Sequence, residues 1–426
     1  MKEVLVLGAG MVSKPLVVYL LKNGFQVKVA SRTVTKAESL IQGYNNGRAE
    51  SLNVNNNDQL MELVHGCDLA ISLVPYTYHV QIAKLCIKLK KHLVTTSYVS
   101  KEMKDLDKAT RAAGILILNE IGLDPGIDHM SAMKIIHEVE KKGGKIESFR
   151  SNCGGLPSLP SNNLPLGYKF SWSPRAVLMA GKNNGQYLED GKLIFTPSKN
   201  LFKNYKIIDI EGMGSLEAYT NRDALPYKEL YGLKDAHTMF RGTLRNIGWC
   251  FVMTKAQELG LFDDAPRMDL QGLTYRQLIC RLIGSNDCQE VLEKTAEFLR
   301  LEKYSTVIKV FQWLGLFDDS PLPEESNVMD IFSVLLQKKL TMGKNDLDLI
   351  VLYHNFIAAY PGKKELIKST LIQTGIPDGD SAMSRTVSLP AAIASRKILE
   401  KKINLKGVHI PVQPEIYNPI LDELAE

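Results

Sequence analysis

The chain opens on Val4-Leu5-Val6-Leu7-Gly8-Ala9-Gly10-Met11-Val12-Ser13, an apolar run that stops at a glycine turn and passes into an amphipathic stretch. This order of strand, glycine turn and helix recurs without the glycines through residue 125. Strands are predicted at residues 3–7, 26–30, 49–54, 69–74, 92–96 and 115–119, and helical patterns at 12–23, 59–65, 80–89 and 101–113. Alternating strands and helices imply a parallel sheet with helices on both faces. Such a sheet binds its ligands at the carboxyl ends of its strands, so the residues just past each strand carry the first candidates for chemistry.

After the first strand, Gly8 permits a tight turn and Gly10 lets the backbone approach a pyrophosphate. The helix starting near Val12 aims free N–H groups at that anion. Gly8, Gly10, Met11 and Val12 are therefore candidate cofactor contacts, although Ser13 stands where the third glycine of the fingerprint belongs. The alternative is an ordinary βα turn that binds nothing. The second strand ends Ser31-Arg32-Thr33 and lacks the acid that holds the ribose hydroxyl of NAD. Arg32 can pair with a 2′-phosphate, with Ser31 and Thr33 adding hydroxyl groups, so the dinucleotide is read as NADP. The fourth strand ends at Val74-Pro75, the fifth at Ser97-Tyr98, and the sixth leads into Asn119-Glu120-Ile121-Gly122-Leu123-Asp124-Pro125-Gly126-Ile127-Asp128-His129. Asp124 followed by Pro125 is also a good helix start, with Asp124 as N-cap and Pro125 in the first turn. A cap of this kind can still face a cleft. His129 and His137 fall on the helix that follows and are assigned no role. No metal-ligand spacing and no nucleophile triad occurs, so no metal is expected.

Composition narrows the class further. A chain of 426 residues, 45% hydrophobic and 23% charged, is globular and long enough for two or three domains. No apolar run approaches the ~20 residues of a membrane span. A net charge of +5 makes no case for nucleic acid, although its sign suits an anionic cofactor or substrate. The four apolar residues Val4 to Leu7 are too few for the ~7–15 of a secretory signal. Six cysteines without a CxxC pair read as free thiols in a reducing, cytoplasmic setting.

From residue 145 the pattern changes. A strand at 146–151 precedes a Gly-, Pro-, Ser- and Asn-rich stretch at 153–167, read as a loop. Short strands are predicted at 170–173 and 193–195, residues 247–345 read as mostly helical, and 381–402 forms a long helical pattern.

Several strings now take on a family likeness. Ser97-Tyr98, the Asn119-to-His129 string, Cys153-Gly154-Gly155-Leu156-Pro157, Tyr168-Lys169-Phe170-Ser171-Trp172-Ser173, Asn221-Arg222-Asp223, Arg241-Gly242-Thr243-Leu244-Arg245 and Ser381-Ala382-Met383-Ser384-Arg385 resemble the saccharopine reductases, the L-glutamate-forming saccharopine dehydrogenases. Asn53 departs from the Asp that family members often carry there. The resemblance implies an α/β architecture: a doubly wound Rossmann sheet plus a mixed α/β substrate and dimerisation domain with an inserted all-helical domain. The expected boundaries are 1–126 with 380–426 for the Rossmann part, 127–246 with 346–379 for the mixed part, and 247–345 for the helical part. It also implies reduction, with NADPH, of the imine of L-glutamate and 2-aminoadipate 6-semialdehyde to saccharopine, and the reverse oxidation, in lysine metabolism. A homodimer is expected. Asn53, Val54, Val74, Pro75, Ser97, Leu123 and Asp124 join the cofactor contacts. Substrate contacts are expected at Ser97, Tyr98, Asp124, Lys169, Arg222, Thr243, Leu244 and Arg245. Asp124 and then Cys153 are the candidates for proton transfer. Two other readings compete: an imine reductase like the carboxynorspermidine or homospermidine synthases, and a non-catalytic NADP(H)-sensing protein. Arginines suited to a tricarboxylate argue against the first, and the presence of Asp124 against the second.

Overall fold

A computed structural model describes residues 2–426, which divide into two compact units. The first comprises residues 2–145 and Gly375–Glu426. Its strands are β1 (Glu3–Leu7), β2 (Gln26–Ser31), β3 (Gly47–Ser51), β4 (Leu69–Ser72), β5 (His92–Thr95) and β6 (Leu116–Leu118). They lie in the order β6-β5-β4-β1-β2-β3, and a C-terminal strand, Gly407–His409, adds beside β6. Every neighbouring pair is parallel. Strand order reverses between β1 and β4, which places a ligand crevice at their carboxyl ends. Val4 to Leu7 are fully buried because helices cover both faces of the sheet, which is why β1 reads as a continuous apolar run.

The helix Ile127–Lys141 belongs to this unit, which therefore extends past the expected boundary at 126. Its apolar face, with Met130, Met133 and Ile136, is buried, and His137 Nδ1 lies 2.7 Å from the Tyr417 hydroxyl on the C-terminal helix Pro414–Leu424. The helix starts later than the sequence suggests. Its N-cap is Gly126, so Asp124 is not a cap and Pro125 is not helical. Instead residues 122–126 close a tight turn, in which the Gly122 N–H donates to Pro125 O and the Ile127 N–H to Gly122 O, both at 2.9 Å. The long helix at the C-terminal end, Ala382–Leu399, begins where predicted, with the Ser381 side chain accepting from the Ser384 N–H.

The second unit is Ile146–Thr374. Its strands are β7 (Lys145–Pro157), β8 (Gly185–Glu189), β9 (Lys192–Thr196), β10 (Tyr205–Ile210), β11 (Gly214–Thr220), β12 (Thr238–Arg245), β13 (Asp348–Tyr360) and β14 (Lys363–Thr374). They form a mixed sheet in the order β10-β11-β12-β7-β13-β14, with the β8–β9 hairpin attached to β12. β7 runs straight through Cys153-Gly154-Gly155-Leu156-Pro157, where the composition suggests a loop. The glycines serve close packing here. A Cβ on Gly154 would sit 2.7 Å from Leu244 Cβ, so only a bare backbone fits beside β12. Residues 170–173 are not a strand: Phe170 makes a single bridge to Thr341, and Ser173 caps the helix Pro174–Ala180.

Helices fill much of 247–345 as expected, but they do not stand apart. Val307, Phe311 and Phe332 share one core with Tyr168, Phe202 and Tyr219. Cys280 and Cys288 are joined by a disulfide with 5.6 Å between their Cα atoms, so the reading of six free thiols holds only for Cys67, Cys86, Cys153 and Cys250. The helix Trp249–Glu258 is capped from another element by the buried Glu217, whose carboxyl oxygens accept from the Gly248 and Cys250 N–H groups at 2.8 and 2.7 Å. Glu217→Ala strands both donors and is expected to lower stability to urea by about 2 kcal/mol. A loss below ~0.5 kcal/mol would mean that water replaces the cap.

Candidate active site

The glycine turn is built from its own backbone. Gly8 adopts φ +114°, which favours glycine, and its N–H donates to Ala30 O at 2.8 Å, tying the turn to β2. The buried Ser13 explains the missing third glycine, because its Oγ accepts from the Gly10 N–H at 3.0 Å and donates to Gly8 O. A Cβ on Gly10 would meet nothing within 4 Å, so the backbone there opens onto free space. At the end of β2, Arg32 and Thr33 are exposed, and no carboxylate among the described residues pairs with Arg32. An open glycine turn beside an uncommitted guanidinium fits a dinucleotide with a 2′-phosphate. Met11 and Pro75 are exposed, and Val12, Ser31, Val54 and Val74 half-buried, at the same edge of the sheet. Asn53 turns its amide oxygen back to the Asn55 N–H, and Leu123 is buried with its carbonyl accepting from the Asp128 N–H.

Ser97 has a partner that the sequence does not advertise. His79 is buried at the start of the helix His79–Leu89, with Nδ1 2.8 Å from Ser72 Oγ and Nε2 2.9 Å from Ser97 Oγ. Burial pushes its pKa down to about 4. The unfolded chain, with an ordinary histidine, binds the extra proton below about pH 6.5, whereas the folded protein does so only near pH 4. The stability that neutral His79 contributes is thus present above pH 6.5 and is lost as the pH falls toward 4, by about 3 kcal/mol in total. Urea unfolding from pH 7 to pH 4 is expected to show this slope in the wild type and to lose it in His79→Asn. An equal slope in both would assign it elsewhere.

Asp124 is singular in its surroundings. Residues 115–130 are buried except for Asp124, which is half-exposed. The Tyr98 hydroxyl donates to Asp124 Oδ1 at 3.0 Å. Freed from capping a helix, this carboxyl group sits in the turn between β6 and the helix Ile127–Lys141, at the ligand-binding edge of the sheet.

In the second unit, Cys153 on β7 is the register partner of Thr243 on β12, and Thr243 that of Tyr219 on β11. Burial pushes the Tyr219 hydroxyl up to about 12, so it stays protonated at neutral pH. Arg245 is 5% exposed and stacks on Tyr168 and Trp249, 4.9 and 5.4 Å from their ring centroids. Its Nη1 donates to Leu244 O, while its Nε finds no acceptor. A buried guanidinium with an idle donor is suited to an anion. Leu244 is fully buried and contributes packing. Lys169 is already committed, since its ammonium lies 2.5 Å from Asp346 Oδ2. Arg222 is exposed at the end of β11 and has φ +58°, an unusual conformation for a residue with a side chain. The structure thus brings Cys153, Thr243 and Arg245 to adjacent strands, keeps Arg222 at a strand end, and gives Lys169 an ion pair. His79 and Glu120 escaped the sequence reading, and His129 drew no role there, because no spacing rule marks the pairs they form with Ser72, Ser97 and one another.

Residues 4–118 match the family described as "Saccharopine dehydrogenase NADP binding domain", and residues 122–426 match "Saccharopine dehydrogenase C-terminal domain". The chain is 36% identical to saccharopine dehydrogenase [NADP(+), L-glutamate-forming] of Saccharomyces cerevisiae, over 100% of this chain and 97% of that protein. The corresponding protein of Pyricularia oryzae is 38% identical with the same coverage. The mitochondrial alpha-aminoadipic semialdehyde synthase of Rattus norvegicus is 38% identical over 99% of this chain and 46% of its own length. Among solved structures, the apo saccharopine dehydrogenase (L-Glu forming) of Saccharomyces cerevisiae superposes with a TM-score of 0.90 at 36% identity, covering 100% of this chain and 97% of that one.

Proposed function

This chain belongs to the saccharopine dehydrogenase family, and from that membership we propose that it is an NADP-dependent, L-glutamate-forming saccharopine dehydrogenase of lysine metabolism. It reduces the imine of L-glutamate and 2-aminoadipate 6-semialdehyde to saccharopine and runs the reverse oxidation. The observation that carries this reading is the Tyr98–Asp124 pair, a single accessible carboxyl group in an otherwise buried segment at the ligand edge of a dinucleotide-binding sheet.

When bound, NADP supplies two-electron transfer at the carbon next to the substrate nitrogen. The turn at Gly8, Gly10, Met11 and Val12 holds its pyrophosphate, and Arg32 with Ser31 and Thr33 its 2′-phosphate. The protein must also manage a proton, because the amine loses one as the imine forms. Asp124 accepts that proton in the oxidative direction and returns it in the reductive one, and the Tyr98 O–H fixes the orientation of its carboxylate. Cys153 is the second group we assign to proton transfer. Saccharopine carries three carboxylates, for which Arg245 and Arg222 are the guanidinium partners, with Thr243 and Ser97 as hydroxyl partners.

Turnover of saccharopine by the purified protein with NADP⁺ and with NAD⁺, followed by nicotinamide absorbance, tests the reading. Oxidation with preference for NADP⁺ is expected. Tight NADPH binding without turnover would instead favour a sensor. We also propose a homodimer, supported by β14, whose twelve residues pair only with β13 among the described residues and leave a long sheet edge to cover. Sedimentation velocity tests it. No helix among the described residues is long and apolar enough to cross a membrane. We propose a cytoplasmic setting, which the four buried free thiols support and the Cys280–Cys288 disulfide opposes, and which cell fractionation checks.

A further inference from the structure

Tyr98 and Asp124 stand on two different loops, and their hydrogen bond is only as well placed as the loops are. The segment after β5 carries Ser97, Tyr98 and Val99, and the turn after β6 carries Asp124. Between them lies Glu120, which is 2% exposed and adopts φ +56°. Its N–H donates to Ser97 O at 3.1 Å. Its Oε1 accepts from the Val99 N–H at 2.9 Å, so one residue grips the backbone on both sides of Tyr98. Its Oε2 lies 2.8 Å from Nε2 of His129, which is fully buried in the first turn of the helix that follows Asp124. The neighbouring Asp128 Oδ1 accepts from the Gly126 N–H at 2.6 Å and closes the turn from the same helix. A left-handed conformation at a residue with a side chain persists only where the surroundings over-determine it, and these bonds supply that constraint.

We infer that Glu120 and His129 are positioning residues: the buried pair links the backbone around Tyr98 to the helix behind Asp124 and sets the hydroxyl–carboxylate geometry on which proton transfer depends. Neither side chain is accessible to a substrate, so the pair acts through Tyr98 and Asp124. This rests on the proposed dehydrogenase reading, which wild-type turnover of saccharopine tests on its own before any variant is made.

The test is a double-mutant cycle with a structural readout. Glu120→Met removes both side-chain bonds at similar volume. It is expected to lower kcat about tenfold or more, with the Kd for NADPH within about twofold of wild type. Glu120→Gln keeps an acceptor for Val99 and a partner for His129, and is expected to retain kcat within about threefold. In a Tyr98→Phe background Glu120→Met is expected to have little further effect, because the bond it positions is already gone. Should Glu120→Met fail to fold, Glu120→Gln and His129→Gln carry the same cycle with smaller losses that vanish in the Tyr98→Phe background. Hydrogen exchange reads the clamp without turnover: peptides spanning 97–99 and 122–126 are expected to exchange faster together in Glu120→Met and His129→Gln, and near the wild-type rate in Glu120→Gln. Equal proportional losses with and without Tyr98, or unchanged exchange in both segments, would overturn the inference.

Discussion

Asp124→Asn is expected to lower kcat for saccharopine oxidation by about 10²-fold or more, at the lower end of what a positioned acid–base group contributes. The Kd for NADPH is expected to stay within about twofold, because the pyrophosphate and 2′-phosphate contacts lie at the ends of β1 and β2. Asparagine keeps the size of the side chain and an oxygen that can still accept from Tyr98, so the turn at 122–126 survives. What disappears is a group that can carry a proton. A loss in kcat with little change in the KM for saccharopine separates proton transfer from binding. Wild-type kcat in a variant that binds NADPH normally would move the proton work to Cys153.

Arg32→Ala is expected to weaken NADP⁺ binding by about 10–100-fold while leaving NAD⁺ binding within about twofold, because a charge-assisted contact to phosphate is lost and NAD⁺ has no 2′-phosphate to lose. The structure sharpens this expectation, since Arg32 has no carboxylate partner among the described residues that its removal would strand. Fluorescence titration with the two reduced cofactors measures the change in selectivity. Equal losses for both would place Arg32 against a group that the two dinucleotides share.

The dinucleotide half was the more legible because its signals are local. A glycine turn after an apolar run, and an arginine where an acid is usual, need no remote partner to be understood, and the strands β1 to β6 fall close to their predicted places. Misreadings arose where a distant segment decides the local structure. Cys153-Gly154-Gly155 has the composition of a loop, yet it lies in a strand that pairs with β12, and its glycine is required because Leu244, far along the chain, leaves no room for a Cβ at Gly154. Asp124-Pro125 has the chemistry of a helix start, yet bonds among Gly122, Pro125 and Ile127 make it a turn and release the carboxyl group for other work. Lys169 carries the right charge for a substrate carboxylate but meets Asp346 from a segment 177 residues away. Glu120 and His129, only nine residues apart, form a pair whose importance lies in Val99 and Ser97 on another strand end. No spacing rule encodes that kind of partnership.

The C-terminal strand Gly407–His409 has a consequence for how the protein is made. It pairs with β6 in the first unit, so a nascent chain that has released residues 2–145 presents six strands and a bare sheet edge at β6. The whole of Ile146–Thr374 must leave the ribosome before that edge is covered. A translating ribosome therefore holds an unfinished cofactor domain while the inserted unit folds, a period in which the open edge is exposed to mispairing and to chaperones. Moving residues 375–426 ahead of residue 2 in a circular permutant would let the first unit close before the second is synthesised.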